Sequence, residues 1–144
     1  MSLAALARRG GANTLAAALR RQAAAARAYS AAAARGEVIE VSDDAALQKA
    51  IESSSASVVN YTAVWCGPCR AMAAPLAALA KKHEGVAFLK VDIDSPALAS
   101  SVAAAGVTAV PTYVVRKGAQ VLETIQGARL ELLQKAVEQA AGAK

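Results

Sequence analysis

The alternation of short apolar runs with helical patterns after residue 36 constrains the fold more than any other feature. Five runs are apolar and rich in β-branched residues, as strands are: 38–41, 58–62, 86–91, 113–115 and 121–125. The stretches between the first four, and the one after the last, have helical spacing or a helix-starting residue such as Pro68. The last two runs flank a short turn containing Gly118, as in a β-hairpin. The order βαβαβαββα predicts an α/β domain, a mixed sheet with helices on both faces.

The charge of the chain is divided unevenly along its length. Residues 1–36 contain six arginines and no Asp, Glu or Lys, whereas residues 37–144 contain ten basic and eleven acidic residues. The net charge of +5 therefore comes from the N-terminal segment. A nucleic-acid-binding domain would need a basic face on its folded part, so we expect no nucleic-acid partner. No apolar run approaches the roughly 18 residues of a membrane span, and we expect no membrane partner.

The N-terminal segment has the composition of an organelle transit peptide, because it lacks acids and is rich in Arg and Ala. Leu15 and Leu19 follow helical spacing, which indicates a weakly amphipathic helix. Around Tyr29 and Ser30 the sequence is similar to mitochondrial processing sites, which are cut after Arg-x-Tyr and before Ser or Ala.

These features predict three segments. Residues 1–29 are expected to be a mitochondrial transit peptide, 30–36 a flexible N-terminus of the mature protein, and 37–144 the folded domain. The expected location is the mitochondrial matrix. A chloroplast transit peptide and a disordered Ala-rich tail are the alternatives.

Cys66 and Cys69 are the only cysteines, and such a pair can serve as a structural staple, as metal ligands or as a reactive pair. As a structural staple, a ring of four residues would contribute only about 2 kcal/mol in the loop-entropy relation. A zinc site needs about four ligands, and the chain offers only His83 beyond the thiols. We therefore expect no metal. A reactive pair is favoured because Cys66 lies between a strand and a helix start, whose free N–H groups stabilise a thiolate. Cys69, one turn later, could then attack a mixed disulfide formed by Cys66.

Four segments around these cysteines resemble the thioredoxin family. Their residues are Trp65-Cys66-Gly67-Pro68-Cys69-Arg70, Lys90-Val91-Asp92-Ile93-Asp94, Thr108-Ala109-Val110-Pro111-Thr112 and Gly127-Ala128. The resemblance spans about residues 37–141. It implies the thioredoxin fold, with a central mixed five-stranded sheet flanked by four helices. With the N-terminal segment added, the sequence is most similar to mitochondrial members of the plant and algal o type.

The resemblance also implies a function, that of a protein-disulfide reductase without a bound cofactor. Cys66 would be the nucleophile and Cys69 the resolving thiol, supported by Trp65, Gly67 and Pro68. Disulfide-containing proteins would be the targets, and a thioredoxin reductase, NADPH-dependent by the same resemblance, would recycle the protein, which is expected to be a monomer. A protein-disulfide oxidase or isomerase on the same fold and a non-catalytic binding protein are the alternatives.

The resemblance further assigns the substrate-binding surface. Val110 would precede a cis proline, Pro111, and offer its backbone to an extended substrate. Gly127 would lie beside the dithiol.

Two positions depart from the family pattern. Asn60 stands where the family has a buried aspartate that is thought to help remove the proton of the resolving thiol. Lys90 matches the lysine that usually pairs with that acid, so we expect it to be a desolvated cation without its partner. Water or Lys90 would then have to receive the proton. Pro75 follows Cys69 by six residues where five is usual, which predicts a shifted kink.

Overall fold

The structure is a computed structural model that describes the backbone of residues 3–142 and the side chains of residues 14–31 and 33–142. Its strands are β1 Val38–Glu40, β2 Ala56–Thr62, β3 Ala87–Asp92, β4 Thr112–Lys117 and β5 Gln120–Gln126. Its α-helices are α1 Leu3–Ala34, α2 Asp44–Glu52, α3 Gly67–Lys82, α4 Ala99–Ala104 and α5 Leu130–Ala140. A 3-10 turn, Pro96–Leu98, leads into α4.

The five strands form one sheet in the order β1-β3-β2-β4-β5. β1, β2 and β3 run parallel to one another, whereas β4 is antiparallel to β2 and to β5. The predicted mixed five-stranded sheet and its C-terminal hairpin are therefore confirmed. β2 is central, and all seven of its residues are buried, as its continuous apolar run predicts.

The sheet has a hydrophobic core on each face. Phe88, Tyr113 and Leu133 belong to the core beneath α3 and α5. Leu47 and Leu89 belong to the core on the opposite face, beneath α2. The cores hold the sheet between two helical layers, as burial of both sheet faces requires.

The prediction of four helices was one short, because the described residues form five α-helices. The additional one is α1, which precedes the domain and continues to Ala34. Its length follows from its alanine content, since alanine has the highest helix propensity. Within the described part of the chain, no helix is both long and apolar enough to span a membrane.

α1 packs against the domain through one face near its C-terminal end. Tyr29 and Ala33 are buried in the α2-side core, with Ala25 partly buried beside them. The carbonyl oxygen of Ala33 accepts the backbone N–H of Gly85 at 2.9 Å. The expected boundary between residues 29 and 30 thus lies inside a packed helix, and residues 30–34 are helical. The transit-peptide boundary itself stays a prediction.

α3 runs through Pro75 from its first turn to Lys82. A proline inside a helix has no N–H, so the carbonyl group four residues earlier loses its helical partner. The helix begins at Gly67, with Pro68 in the first turn as predicted. The dithiol therefore lies at the end of the helix where backbone N–H groups are free.

Candidate active site

Cys66 and Cys69 form a disulfide at the N-terminus of α3, with their Cα atoms 5.3 Å apart. Cys66 is the N-cap residue, and its Sγ accepts the backbone N–H of Cys69 at 3.2 Å. Only 4% of Cys66 and 7% of Cys69 is exposed. A donor aimed at a sulfur atom stabilises negative charge there. The local structure thus favours a thiolate at Cys66 in the reduced protein.

The loop before β4 lies against this pair. The Val110–Pro111 peptide bond is cis, as predicted. The carbonyl oxygen of Val110 is 3.7 Å from the Sγ of Cys66, and Val110 packs against the cluster formed by Ala63 and the two cysteines. The structure therefore brings a backbone carbonyl next to the sulfur of Cys66.

Gly127 completes this side of the site. Its backbone N–H donates to the carbonyl oxygen of Pro111 at 2.8 Å. Its φ of +89° lies in the region that favours glycine, and a Cβ there would meet no atom within 4 Å. Backbone conformation rather than lack of space therefore accounts for glycine at this position. The structure places Gly127 beside Pro111.

An exposed apolar patch borders the dithiol. Val64 is 76% and Trp65 64% exposed, although both are large apolar residues. The indole N–H of Trp65 donates to Oδ2 of Asp94 at 2.8 Å. Asp92 in turn accepts the backbone N–H of Asp94 through Oδ1 at 2.9 Å. The indole is thus held at the surface by the turn after β3.

Sequence reasoning did not foresee the role of Asp94. Asp94 enters the sequence analysis only as part of the segment Lys90–Asp94, and it lies 29 residues from Trp65 in the chain. Only the parallel pairing of β2 with β3 brings these two strand ends together. A pair at such a separation leaves no local sequence signal.

Asn60 and Lys90 are register partners on β2 and β3. This agrees with the family resemblance, in which the lysine at position 90 pairs with the residue at position 60. Asn60 is buried, and its Oδ1 has no hydrogen-bond partner among the described residues. Lys90, however, is exposed, so the expectation of a desolvated cation was wrong. Lys90 lies beside the three-residue edge strand β1 and lines an open cavity. Solvent therefore reaches it.

Tyr113 also neighbours Asn60, from the other side of β2. Its hydroxyl group is buried without a hydrogen-bond partner among the described residues. Burial raises the pKa of Tyr113 to about 12. The phenol therefore keeps its proton at neutral pH and cannot act as a base for the cysteines.

A cavity of about 500 Å³ lies between α3 and the edge of the sheet formed by β1 and β3. Cys69 lines it, together with Glu40 and Lys90. Glu40 was not singled out in the sequence, where it is an ordinary polar residue of a short strand. In the part of the chain that the structure describes, no three His, Cys, Asp or Glu residues are grouped as metal ligands would be.

Comparisons with known proteins agree with this geometry. The sequence profile of the family "Thioredoxin" matches residues 37–139. Thioredoxin H1 of Arabidopsis thaliana is 44% identical over 91 residues, which cover 63% of this chain and 78% of that protein.

Two solved structures give the same result. Oxidised thioredoxin O1 of Arabidopsis thaliana superposes with a TM-score of 0.66 and 32% identity, covering 71% of this chain and 96% of that one. Mitochondrial thioredoxin 3 of Saccharomyces cerevisiae gives 0.65 and 30%, covering 71% and 94%. With its disulfide-forming Cys66–Cys69 pair, the chain therefore belongs to the thioredoxin family and is a thiol–disulfide oxidoreductase that reduces protein disulfides.

Proposed function

We propose that this protein is a mitochondrial thioredoxin of the o type, which reduces disulfides of matrix proteins. A thioredoxin reductase that uses NADPH would return its Cys66–Cys69 disulfide to the dithiol. The subfamily and location are supported by the arginine-rich, acid-free segment before residue 37. They are also supported by likeness to a thioredoxin O1 and to a yeast protein named as mitochondrial.

Within this function, Cys66 is the attacking thiol and Cys69 the resolving one. The observation that carries this assignment is the N–H of Cys69, which is directed at the Sγ of Cys66. Cys66 attacks one sulfur of a target disulfide, and the other target sulfur leaves as a thiolate. Cys69 then attacks Cys66, which releases the second target sulfur and forms the Cys66–Cys69 disulfide.

The surface around Cys66 supports binding of an extended target segment. The carbonyl group of Val110 lies beside the Sγ of Cys66 and is placed to accept a backbone N–H of the target. Trp65 and Val64 provide exposed apolar surface next to it. Gly67 and Pro68 support the site by forming the first turn of α3.

The reductase assignment is tested by insulin reduction with the full-length chain, NADPH and a thioredoxin reductase. We expect turnover that requires both the chain and the reductase. Oxidation of reduced substrate proteins without insulin reduction would favour the oxidase alternative instead. Absence of both activities would favour a non-catalytic binding protein.

The location is tested separately by import of the full-length chain into isolated mitochondria and chloroplasts. We expect uptake by mitochondria and cleavage between Tyr29 and Ser30 or within a few residues of it. N-terminal mass analysis of the imported protein measures the cut. Uptake by chloroplasts alone, or an intact N-terminus after mitochondrial import, would contradict this part of the proposal.

A further inference from the structure

The cavity beside Cys69 adjoins the surface on which a target would lie, and Val64 belongs to both. Cys69 contributes to its lining, whereas Cys66, Trp65 and Val110 do not. It is open to solvent and has a volume of about 500 Å³. Water can therefore approach the resolving cysteine from a side that Cys66, Trp65 and Val110 do not line.

Cys69 needs such a route, because it must lose a proton to become the attacking thiolate. Asn60 has an amide, which is neutral and cannot serve as a base. Tyr113 keeps its own proton. Lys90, as an ammonium group, has donors and no acceptor. The carboxylates that line the cavity, Glu40 and Asp92, are the groups there that can accept a proton.

The two carboxylates differ in what they already bind. Asp92 accepts the backbone N–H of Asp94 and so helps to form the turn that holds Trp65. The side chain of Glu40 makes no hydrogen bond or ion pair to any residue that the structure describes. It is exposed at the end of edge strand β1. Glu40 is therefore the carboxylate that is free to exchange protons with cavity water.

The sheet register places Glu40 in one row with Lys90 and Asn60 across the three parallel strands. Glu40 is the partner of Lys90 across β1 and β3, and Lys90 is the partner of Asn60 across β3 and β2. Neighbouring strands lie about 4.8 Å apart, so Glu40 stands roughly 10 Å from Asn60 on the same face of the sheet. Glu40 and Cys69 line the same open cavity, so we expect water in that cavity to connect them.

We propose that Glu40 accepts the proton of Cys69, through water in this cavity, when Cys69 resolves the mixed disulfide. The inference rests on the assignment of Cys69 as the resolving thiol. The Sγ of Cys69 forms a bond to the Sγ of Cys66, and the bond from Cys66 to the target sulfur breaks. The two cysteines are oxidised and the target is reduced by two electrons. The target thiolate takes a proton from solvent, and Glu40 returns its proton to bulk water.

Glu40 could affect Cys69 in two ways, by accepting its proton or by the effect of its negative charge on the thiolate, and the two predict opposite results. Glu40 faces Lys90 and Asp92 on β3 and Arg70 on α3. A negative charge near Cys69 disfavours its thiolate. If Glu40 acted only through its charge, Glu40→Gln would therefore speed resolution. If Glu40 accepts the proton, the same substitution slows it.

The experiment mixes excess insulin with reduced full-length chain, wild type or Glu40→Gln, and quenches with acid between pH 6 and 9. Mass determination of the mixed disulfide then gives its rates of formation and of resolution. In Glu40→Gln we expect resolution to be about tenfold slower near pH 6–7, less than the usual 10²–10⁴ for a general base because water substitutes. The difference should vanish towards pH 9, where the thiol ionises without help.

Three further variants complete the design. Glu40→Asp keeps a carboxylate and should recover part of the rate. Glu37→Gln removes an acid that lies outside the cavity lining and is paired with Arg35 at 3.0 Å, and it should resolve as the wild type does. Asp92→Asn removes the other carboxylate of the cavity, and it should not slow resolution.

Resolution by Glu40→Gln at the wild-type rate or faster across this pH range would overturn the proposal. Slow resolution in Asp92→Asn with a normal rate in Glu40→Gln would overturn it as well, in favour of the other carboxylate. Failure of the wild-type chain to form any mixed disulfide would overturn the assignment of cysteine roles on which the proposal rests. The formation and resolution rates distinguish these results.

Discussion

The two cysteines differ in their surroundings although they share one turn of helix. The sulfur of Cys66 faces the N–H of Cys69 and the carbonyl group of Val110. Cys69 instead lines the solvent cavity with Glu40. A donor next to one sulfur and a solvent route next to the other suit a nucleophile and a resolving thiol respectively.

Substitution of each cysteine should therefore have a different result. Cys66→Ser removes the nucleophile and should abolish insulin reduction. Cys69→Ser leaves the nucleophile but removes the resolving thiol, so mixed disulfides with targets should accumulate. Non-reducing electrophoresis with mass identification detects them. Equal behaviour of the two variants would contradict the assigned roles.

The hydroxyl group of Tyr113 gives a second prediction at this scale. The folded protein keeps its proton up to about pH 12, whereas an unfolded tyrosine loses it near pH 10. Tyr113 should therefore lower the stability of the wild type by about 2–3 kcal/mol as the pH rises through this window, beside the losses from Tyr29 and Tyr61, whose pKa values burial also raises. Tyr113→Phe should lack the part of the loss that comes from Tyr113.

The same variant also removes a buried hydroxyl group that has no partner among the described residues. Its free energy of unfolding at pH 7 should therefore rise by about 0.5–2 kcal/mol. Urea unfolding at pH 7 and above pH 10 measures both effects. An alkaline loss as steep as that of the wild type would show that Tyr113 is not its source.

Among the elements, the strands and the hairpin were predictable, whereas the docking of α1 was not. β2 has no charged residue and has apolar side chains on both of its faces, and burial on both faces follows from that pattern. α1 packs through Ala25, Tyr29 and Ala33, which are spaced four residues apart. Two of these are alanines in an alanine-rich helix, so the buried face carries almost no hydropathy signal.

The turn between α1 and β1 lies close to α3, and glycine substitutions test how much this close approach matters. Gly36 has φ +68°, and a Cβ there would lie 2.7 Å from the backbone oxygen of Ala80 in α3. Gly118 has φ +60° with nothing within 4 Å of that position. Gly118→Ala should therefore cost only the left-handed backbone strain, about 1–2 kcal/mol.

Gly36→Ala should cost clearly more than Gly118→Ala, because backbone atoms of α3 must also move. Thermal or urea unfolding of the two variants gives the difference. Equal destabilisation would mean that the close approach of this turn to α3 contributes nothing to stability.

At the scale of the whole molecule, the charge is divided between a basic N-terminal segment and a nearly neutral domain. Residues 30–144 contain eleven basic and eleven acidic residues, whereas the full chain has a net charge of +5. This partition, the sheet and the dithiol were all evident from the sequence. The cavity beside Cys69 and the exposure of Lys90 were not, because both depend on β1 being a short edge strand.

Removal of residues 1–29 should change the bulk electrostatic behaviour of the protein. The full chain should bind a cation exchanger at pH 7 and low salt, whereas the shortened protein should pass through it. Isoelectric focusing gives the same comparison, from a sequence pI near 9.5 for the full chain to a nearly neutral value. Retention of the shortened protein at low salt would show a basic patch in the domain that composition does not indicate.

The central position of β2 has a consequence for how the molecule opens. β2 is hydrogen-bonded to β3 on one side and to β4 on the other, and all its residues are buried. α1 is attached through one face near its C-terminal end. Deuterium should therefore enter the amides of α1 by local opening and those of β2 only by global unfolding. The N-terminal helix can then detach and rebind while the strand that leads to the dithiol stays intact.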